Sequence, residues 1–170
     1  MHEGDYTRIK SNSPKKVNSA VRRLLLELAL PENNAVWLKY KIPNGFTSEP
    51  GNCHFNVWVQ CEYSGGKPIY GWIISQDVGN DFIEAQFHCV WSDLDGVLFD
   101  ITPRLDSEKR IMFVLDTVRT VERSEYNGAP ALISYDNVRI HRGKVVSGLQ
   151  RIKIVPQTDF MYKHGLAILR

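Results

Sequence analysis

The hydrophobic positions in the first quarter of the chain follow the spacing of a helix and then the alternation of a strand. Ser13 and Pro14 indicate a helix start, an N-cap followed by proline in the first turn, and Pro31 indicates its end. Alternating apolar residues predict a strand over residues 35–42, and turn-forming residues predict a loop over 43–52. Apolar residues at three- and four-residue steps define the buried face of the helix: Val17, Ala20, Val21, Leu24, Leu25 and Leu28.

Residues 53–63 contain no glycine or proline, and Gly65 and Gly66 follow them. This pattern predicts a helix that begins at Cys53 and stops at the glycines; a strand is the alternative, because Val and Trp favour β-structure. Further along, punctuated apolar runs predict strands over residues 68–76, 82–92, 97–102, 110–115, 131–135, 137–141 and 151–156. We therefore expect an α+β fold in which helices pack near an antiparallel sheet.

Length and composition indicate one domain over residues 1–170. With 43% hydrophobic and 24% charged residues, the chain is not wholly disordered. No apolar run approaches the roughly 20 residues of a membrane span, and the polar first ten residues predict no secretory signal. Three cysteines without a close pair indicate a reducing compartment, so we expect a cytoplasmic protein.

The net charge of +2 hides an uneven distribution. Residues 139–170 contain seven Lys and Arg against one acid, whereas the other 138 residues contain 14 basic and 18 acidic side chains. Such a basic segment either docks an acidic partner or packs against the acidic body. Aromatic residues do not alternate with the basic ones, so a nucleic-acid partner is not expected.

Cys53 combines a nucleophilic side chain with a position at the predicted start of a helix. Unpaired N–H groups and a partial positive charge at a helix N-terminus lower the pKa of a thiol. The same N–H groups are able to bind the oxyanion of a tetrahedral intermediate. We therefore predict that Cys53 is a nucleophile and that its thiol is more acidic than those of Cys61 and Cys89.

A thiol nucleophile needs a base, and the base needs an orienting partner. The candidates are His88 and Asp100, which lie on two strands of one predicted hairpin. A three-residue loop at 94–96 pairs Asp93 with Val97 and places both candidates on one face within side-chain reach, whereas a two-residue turn places them on opposite faces. His88 has the opposite parity to the apolar Phe87, so we expect it to face a cleft.

The order of these residues resembles the transglutaminase-like branch of the papain-type cysteine enzymes. In that branch the histidine strand often reads His-x-Trp and the aspartate strand ends in Asp-x-Thr; the corresponding segments here are Phe87-His88-Cys89-Val90-Trp91 and Phe99-Asp100-Ile101-Thr102-Pro103. The second fits its pattern, whereas in the first Val90 stands two residues after His88 and Trp91 comes one position later than usual. The resemblance covers residues 48–103 and departs around the nucleophile, where Gly51-Asn52-Cys53-His54 replaces a Gly-x-Cys-Trp run. It implies a transglutaminase-like core with a Cys-His-Asp triad and no cofactor.

Other residues are weighed as contacts of the same site. His54 follows Cys53 in the helix and points about 100° away, so it is not expected to be the base. A zinc site has enough ligands in Cys53, His54, Cys61, His88 and Cys89, but their spacing does not match structural zinc motifs, and no metal is predicted. Candidate substrate or oxyanion contacts, each with a packing role as the alternative, are Asn52, Asn56, Glu84, Trp72 and Trp91.

Two functions remain open from the sequence. The first is a cysteine hydrolase or acyltransferase that acts on a protein or peptide-like amide, or on a thioester, through an acyl-enzyme; this group includes proteases, deamidases and transglutaminases. The second is a non-catalytic binding module of the same fold that docks a partner through residues 139–170.

Overall fold

The described chain, residues 11–106 and 108–166 of a computed structural model, has an α+β fold with two antiparallel sheets. Its helices are α1 (Ser19–Leu28), α2 (Cys53–Ser64) and α3 (Asp159–Lys163), and a 3₁₀ turn covers Glu32–Asn34. Its strands are β1 (Ala35–Lys39), β2 (Lys67–Asp77), β3 (Phe82–Ser92), β4 (Leu98–Phe99), β5 (Arg110–Leu115), β6 (Glu122–Tyr126), β7 (Ala129–Ser134), β8 (Val138–His141), β9 (Lys144–Ser147) and β10 (Lys153–Pro156).

The larger sheet has the strand order β1-β5-β2-β3-β8-β9, with β4 paired to part of β3. Its centre is the long β2–β3 hairpin, in which Lys67 pairs with Ser92 and Asp77 with Phe82. The smaller sheet has the order β10-β7-β6. No described helix is long and apolar enough to cross a membrane.

Helix α1 covers one face of the larger sheet, but it begins later than the sequence predicts. Its N-cap is Asn18, whose side chain accepts a hydrogen bond from the backbone N–H of Val21. Ser13 instead uses its hydroxyl to accept a hydrogen bond from the backbone N–H of Met112, 2.6 Å away. The predicted N-cap at Ser13 is therefore wrong, because this residue is recruited by β5. The helix buries the predicted stripe Val21, Leu24, Leu25 and Leu28.

Helix α2 lies between the two sheets, and the strand alternative for its residues is wrong. On one side, Val57 packs with Cys89, Trp91 and Ile101 of the larger sheet and its hairpin. On the other side, Phe55 and Val59 pack with residues of the smaller sheet and α3, namely Leu132, Phe160 and Met161. Apolar contacts on both sides explain why the sequence of α2 has no clean amphipathic stripe.

The hairpin that joins β3 to β4 has the longer turn. The N–H of Asp93 donates to the carbonyl of Val97 over 3.0 Å, and Gly96 has the left-handed φ of 81° that such a turn requires. The ladder continues with Trp91 opposite Phe99. The predicted register is therefore confirmed, although β4 ends at Phe99 rather than Thr102.

The predicted strand over residues 35–42 is also too long, because β1 ends at Lys39. From there the chain turns toward the β4 side: the N–H of Asp100 donates to the carbonyl of Lys39, and the N–H of Lys41 donates to the carbonyl of Asp100. The face of β3 that carries His88 also carries Val90, which packs with Ile73 and Phe113 as a second apolar core.

The C-terminal third contains more structure than its sequence pattern indicates. Strands β6 and β9 and helix α3 were not predicted, whereas β7, β8 and β10 lie close to the predicted ranges. The basic segment, residues 139–170, contributes strands to both sheets, since β8 pairs with β3 and β10 pairs with β7. Two of its arginines pair with acids of the body: Arg139 with Glu84 and Arg151 with Glu122. Arg170 lies outside the described residues.

Candidate active site

Cys53 is the first residue of α2, where the sequence places it. The preceding N-cap, Asn52, makes no side-chain cap to the helix; its amide donates instead to the carboxylate of Glu49, 3.3 Å away. The first turn of α2 also carries no acidic residue. The helix start therefore presents unpaired N–H groups and an unopposed positive end of the helix dipole beside the thiol.

Asn56 fixes the loop that leads to Cys53. It is fully buried. Its side-chain oxygen accepts from the N–H of Glu49 over 2.9 Å, and its amide donates to the carbonyl of Glu49 over 2.8 Å. The amide also donates to the hydroxyl of Thr102 over 3.1 Å. Asn56 is thus a positioning residue that ties the Cys53 loop to the segment that carries Asp100.

His88 and Asp100 form a buried pair. Nε2 of His88 lies 2.9 Å from Oδ1 of Asp100, and the two residues are 5% and 1% exposed. Because the carboxylate occupies Nε2, Nδ1 is the ring nitrogen left to face another group. The pair has the geometry of a base with its orienting partner.

Asp100 is held by its backbone as well as by its side chain. Its N–H donates to the carbonyl of Lys39, the last residue of β1, and its carbonyl accepts from the N–H of Lys41. Its Oδ1 also accepts from the N–H of Thr102 over 3.2 Å. The alternative role, capping of the turn before Pro103, is therefore present together with the histidine contact. Oδ2 of Asp100 is buried without a hydrogen-bond partner among the described residues.

The thiol of Cys53 interacts with both neighbouring imidazoles. Burial raises the pKa of Cys53, but the charges and hydrogen bonds of His54 and His88 outweigh burial, so the net pKa lies well below the ordinary value of a thiol. For His88, burial lowers the pKa, but the charges and hydrogen bonds of Asp100 and Cys53 outweigh burial and raise it to about 10. These directions favour a thiolate beside an imidazolium.

The pKa values of the other two cysteines shift in the opposite direction. Burial raises the pKa of Cys61 to about 11. Burial, followed by the charge of Cys53, raises the pKa of Cys89 well above its ordinary value. The predicted order of thiol acidity agrees with these directions. Its cause is broader than the helix terminus, because the two histidines act on Cys53 as well.

A cavity of about 850 Å³ contains this constellation. Cys53, His88, Asp100 and Asn52 line it together. Residues of the turn after Thr102 and all of β10 also line it. Arg104 in this turn binds Asp106 through a 2.6 Å ion pair. The site is therefore a cleft between the larger sheet and the smaller one.

Of the five predicted contact residues, only Asn52 lines this cavity, and the other four do not. Trp72 is fully buried in the core and donates from Nε1 to Asp116, 3.0 Å away. Trp91 packs beside α2 and donates to the carbonyl of Gly65 over 3.0 Å. Glu84 pairs with Arg139. Trp72, Trp91 and Glu84 therefore have packing or ion-pair roles, and Asn56 holds the loop before Cys53.

Two parts of the site were not predicted from the sequence, namely His54 and the wall formed by β10. His54 is 5% exposed, lines the cavity, and contacts the rings of Tyr70 and Phe87 at centroid distances of 5.8 and 6.3 Å. A step of 100° along a helix does not separate it from the thiol, because at the first turn both side chains border the same cleft. No local signal identifies β10 as part of the site, since it arrives from a different sheet.

No three His, Cys, Asp or Glu side chains are grouped to hold a metal ion in the described ranges. A comparison of the chain with models of protein families, with curated proteins and with solved structures finds no match. Function must therefore be inferred from the geometry and chemistry of the cleft.

Proposed function

We propose that this chain is a cysteine-nucleophile hydrolase or acyltransferase that acts on an amide or thioester through an acyl-enzyme. The observation that carries the proposal is the shared cleft of three groups: Cys53 at the uncapped start of α2, and His88 held at 2.9 Å by the buried Asp100. Nucleophile, base and orienting carboxylate come from three different elements. A transglutaminase-like core and a cytoplasmic location are parts of the same proposal; the free state of all three cysteines suits a reducing compartment.

The reaction begins with attack of the Cys53 thiolate on the carbonyl carbon of the substrate. A carbon–sulfur bond forms, and the carbonyl oxygen becomes an oxyanion that the N–H groups at the start of α2 are placed to bind. The bond to the leaving amine or thiol then breaks, and the imidazolium of His88 gives that group its proton. The product of this half-reaction is a thioester on Cys53.

Water or an amine completes the cycle. His88, now neutral, takes a proton from the incoming nucleophile as it attacks the thioester carbon, and the carbon–sulfur bond breaks to regenerate the thiolate. Asp100 holds the ring orientation and stabilises the charged imidazolium in both halves. Hydrolysis and transfer share every residue of this scheme and differ only in the acceptor.

The direct test is to trap the acyl-enzyme. The folded chain is mixed with p-nitrophenyl acetate near neutral pH, and the acetylated residue is located by mass spectrometry. We expect rapid acetylation at Cys53, none in Cys53→Ala, and an unchanged rate in the matched control Cys61→Ala, which removes the other cysteine of α2. Equal acetylation of all three cysteines, or none at Cys53, contradicts the proposal and leaves the binding module as the better interpretation.

A further inference from the structure

Strand β10 is the outer strand of the smaller sheet and a wall of the candidate active site. It pairs on one side with β7, and no described strand covers its other side. All four of its residues, 153–156, line the cavity that contains Cys53. Successive strand residues point to opposite faces of a sheet. Because every residue of β10 lines the cavity, the cavity lies along the edge of this strand and not over one face of the sheet.

The hydrogen-bond register shows which backbone groups lie on that edge. The N–H of Gln157 donates to the carbonyl of Pro130 over 3.1 Å, which places these two residues at a hydrogen-bonded position of the antiparallel ladder with β7, although Pro130 has no N–H to return a second bond. Such pairs recur every second residue. The backbone groups of Val155 and Lys153 therefore point toward β7, and those of Ile154 and Pro156 point to the open side.

Pro156 supports this register independently. Proline has no N–H to donate, so in a sheet it is tolerated where that position faces away from the ladder. Of the four residues in β10, Ile154 is therefore the one that presents both an N–H and a carbonyl on the open edge. Outside the helices and the strand ladders, the backbone hydrogen bonds found in the described ranges do not use these two groups.

We infer that the substrate is an extended polypeptide segment, which adds to the open edge of β10 as a further strand and places its scissile carbonyl at Cys53. This inference rests on the function proposed above and names its substrate class. One residue of the segment exchanges two hydrogen bonds with Ile154. Strand addition of this kind derives affinity from main-chain bonds, so it fits polypeptides with varied side chains.

The alternative occupants of the cleft lack this complementarity. A free acylated thiol or a single amino-acid amide offers no strand backbone that exchanges both bonds with Ile154. An acyl group alone uses Cys53 and His88 and leaves the N–H and carbonyl of Ile154 to water. A longer peptide is therefore expected to react faster than a short one with the same reactive group.

The experiment compares two alkylating probes with one reactive group, acetyl-alanyl and acetyl-tetraalanyl chloromethyl ketone. Each reacts by forming a carbon–sulfur bond to Cys53 with loss of chloride, and the rate is followed by mass spectrometry with iodoacetamide as the reference. We expect the tetrapeptide to label Cys53 about tenfold or more faster than the single residue. The amide nitrogens of the tetrapeptide are then methylated one at a time. We expect methylation of one amide to abolish the gain in rate and methylation of the next amide to leave it unchanged, because alternate amides face away from β10.

Variants of Ile154 test the same bonds from the side of the protein. Ile154→Pro removes the N–H that faces the substrate without removing a bond to β7, and Ile154→Ala is the matched control that keeps this N–H. We expect the proline variant to lose the tetrapeptide advantage and the alanine variant to keep most of it, with each peptide rate taken relative to the same variant's iodoacetamide rate. The methylated probes decide the question if the proline variant does not fold, since they leave the protein intact.

The two proposals fail in distinguishable ways. If Cys53 reacts with iodoacetamide in a manner that depends on His88, but both peptide probes react equally and every methylated peptide equals its parent, strand addition at β10 is overturned and the proposed function stands. If Cys53 is inert toward iodoacetamide as well, the proposed function itself is overturned.

Discussion

The two cysteines of α2 show how strongly the surroundings of one helix separate two identical side chains. Cys53 and Cys61 lie eight residues apart and are both half-buried. Burial acts on both in the same direction, yet the pKa of Cys61 rises to about 11, whereas that of Cys53 falls well below its ordinary value. The difference comes from what faces each thiol.

At the beginning of α2, two imidazoles and the free N–H groups of the first turn face the thiol. At the end of the helix Cys61 lies among apolar neighbours such as Val57 and Cys89, without a charge to offset its burial. Burial alone therefore makes an inert cysteine, and burial beside a held histidine makes a nucleophile. The comparison depends on His88 and Asp100, so it is tested most directly there.

Removal of His88 is expected to have the largest effect. His88→Ala should abolish acyl-enzyme formation at Cys53, because the thiol loses both its proton acceptor and a positive charge that stabilises the thiolate. Acetylation by p-nitrophenyl acetate measures the loss, and His141→Ala on β8 is the control histidine. Unchanged acetylation in His88→Ala removes the base assignment.

The same change leaves the carboxylate of Asp100 buried without its partner, which typically costs about 3–5 kcal/mol of folding stability. A double variant, His88→Ala with Asp100→Ala, removes this stranded charge. We expect the double variant to recover stability in thermal unfolding followed by circular dichroism, and to remain as unreactive as His88→Ala. Recovery of reactivity together with stability means that His88 has only a structural role.

Asp100→Asn is expected to have the next largest effect, a loss of about a hundredfold in acylation rate, or about 2.7 kcal/mol. The amide keeps an oxygen that accepts from the N–H of Thr102 but removes the charge that stabilises the imidazolium. The acylation rate and the unfolding temperature are measured on the same sample. If Asp100 serves only the turn before Pro103, the rate stays at the wild-type value, since Asn serves such turns almost as well as Asp.

The pH dependence separates the two cysteines in a single protein. A lowered pKa means that Cys53 remains ionised until the pH falls through that lowered value, whereas at pH 7 only about one Cys61 thiol in ten thousand is ionised if its pKa is about 11. We expect iodoacetamide to label Cys53 selectively at neutral pH and Cys61 only in strongly alkaline solution. If the labelling rates of both cysteines change with pH in the same way, the expected difference between their pKa values is contradicted.

The rate of acylation by an amide substrate is expected to depend on pH in the alkaline range as well. The raised pKa of His88, about 10, means that its proton is lost as the pH rises through that value. Acyl transfer from an amide substrate needs this proton for the leaving group, so its rate should fall above about pH 10, while alkylation by iodoacetamide should not. A flat alkaline limb for amide acylation speaks against His88 as the general acid.

The smallest expected effect is that of Asn56, which acts only through position. Asn56→Ala removes the bonds that tie Glu49 and Thr102 to α2, and it should lower the free energy of unfolding by about 1–3 kcal/mol. The alkylation rate of Cys53 should fall by less than tenfold, with its pH midpoint unchanged. A shift of that midpoint toward the value for Cys61 gives Asn56 a direct electrostatic role instead.

Much of the site was accessible from local sequence signals. A three-residue turn with glycine at position 96 is one of the two closures that the hairpin sequence allows; it brings His88 and Asp100 to one face, and the structure has this register. The loop before Cys53 and the two glycines after residue 64 likewise locate both ends of α2. These features depend on contacts within a few residues, and turn chemistry is specific enough to predict them.

Other features were beyond local reasoning. Ser13 carries the chemistry of an N-cap but is bound by the backbone of β5, 99 residues away. Trp72 and Trp91 are equally suited to a groove wall or a core, and only the packing of α1 and α2 decides that they are core residues. Strands β6 and β9 have few buried side chains, so hydrophobic alternation does not reveal them.

The sequence by itself predicted the α+β class from its hydrophobic spacing. Its turn and cap residues favoured a helix that begins at Cys53 and offered a three-residue turn that pairs His88 with Asp100. The structure excludes the strand and the two-residue turn that were the alternatives. The tertiary structure alone decided that His54 joins His88 at the thiol and that β10 forms a wall of the cavity. The reason is that long-range packing is set by the sum of many weak apolar contacts, which no short segment encodes. The candidate nucleophile is therefore visible in the sequence, and the strand edge that we propose as its substrate-binding surface is visible only in the fold.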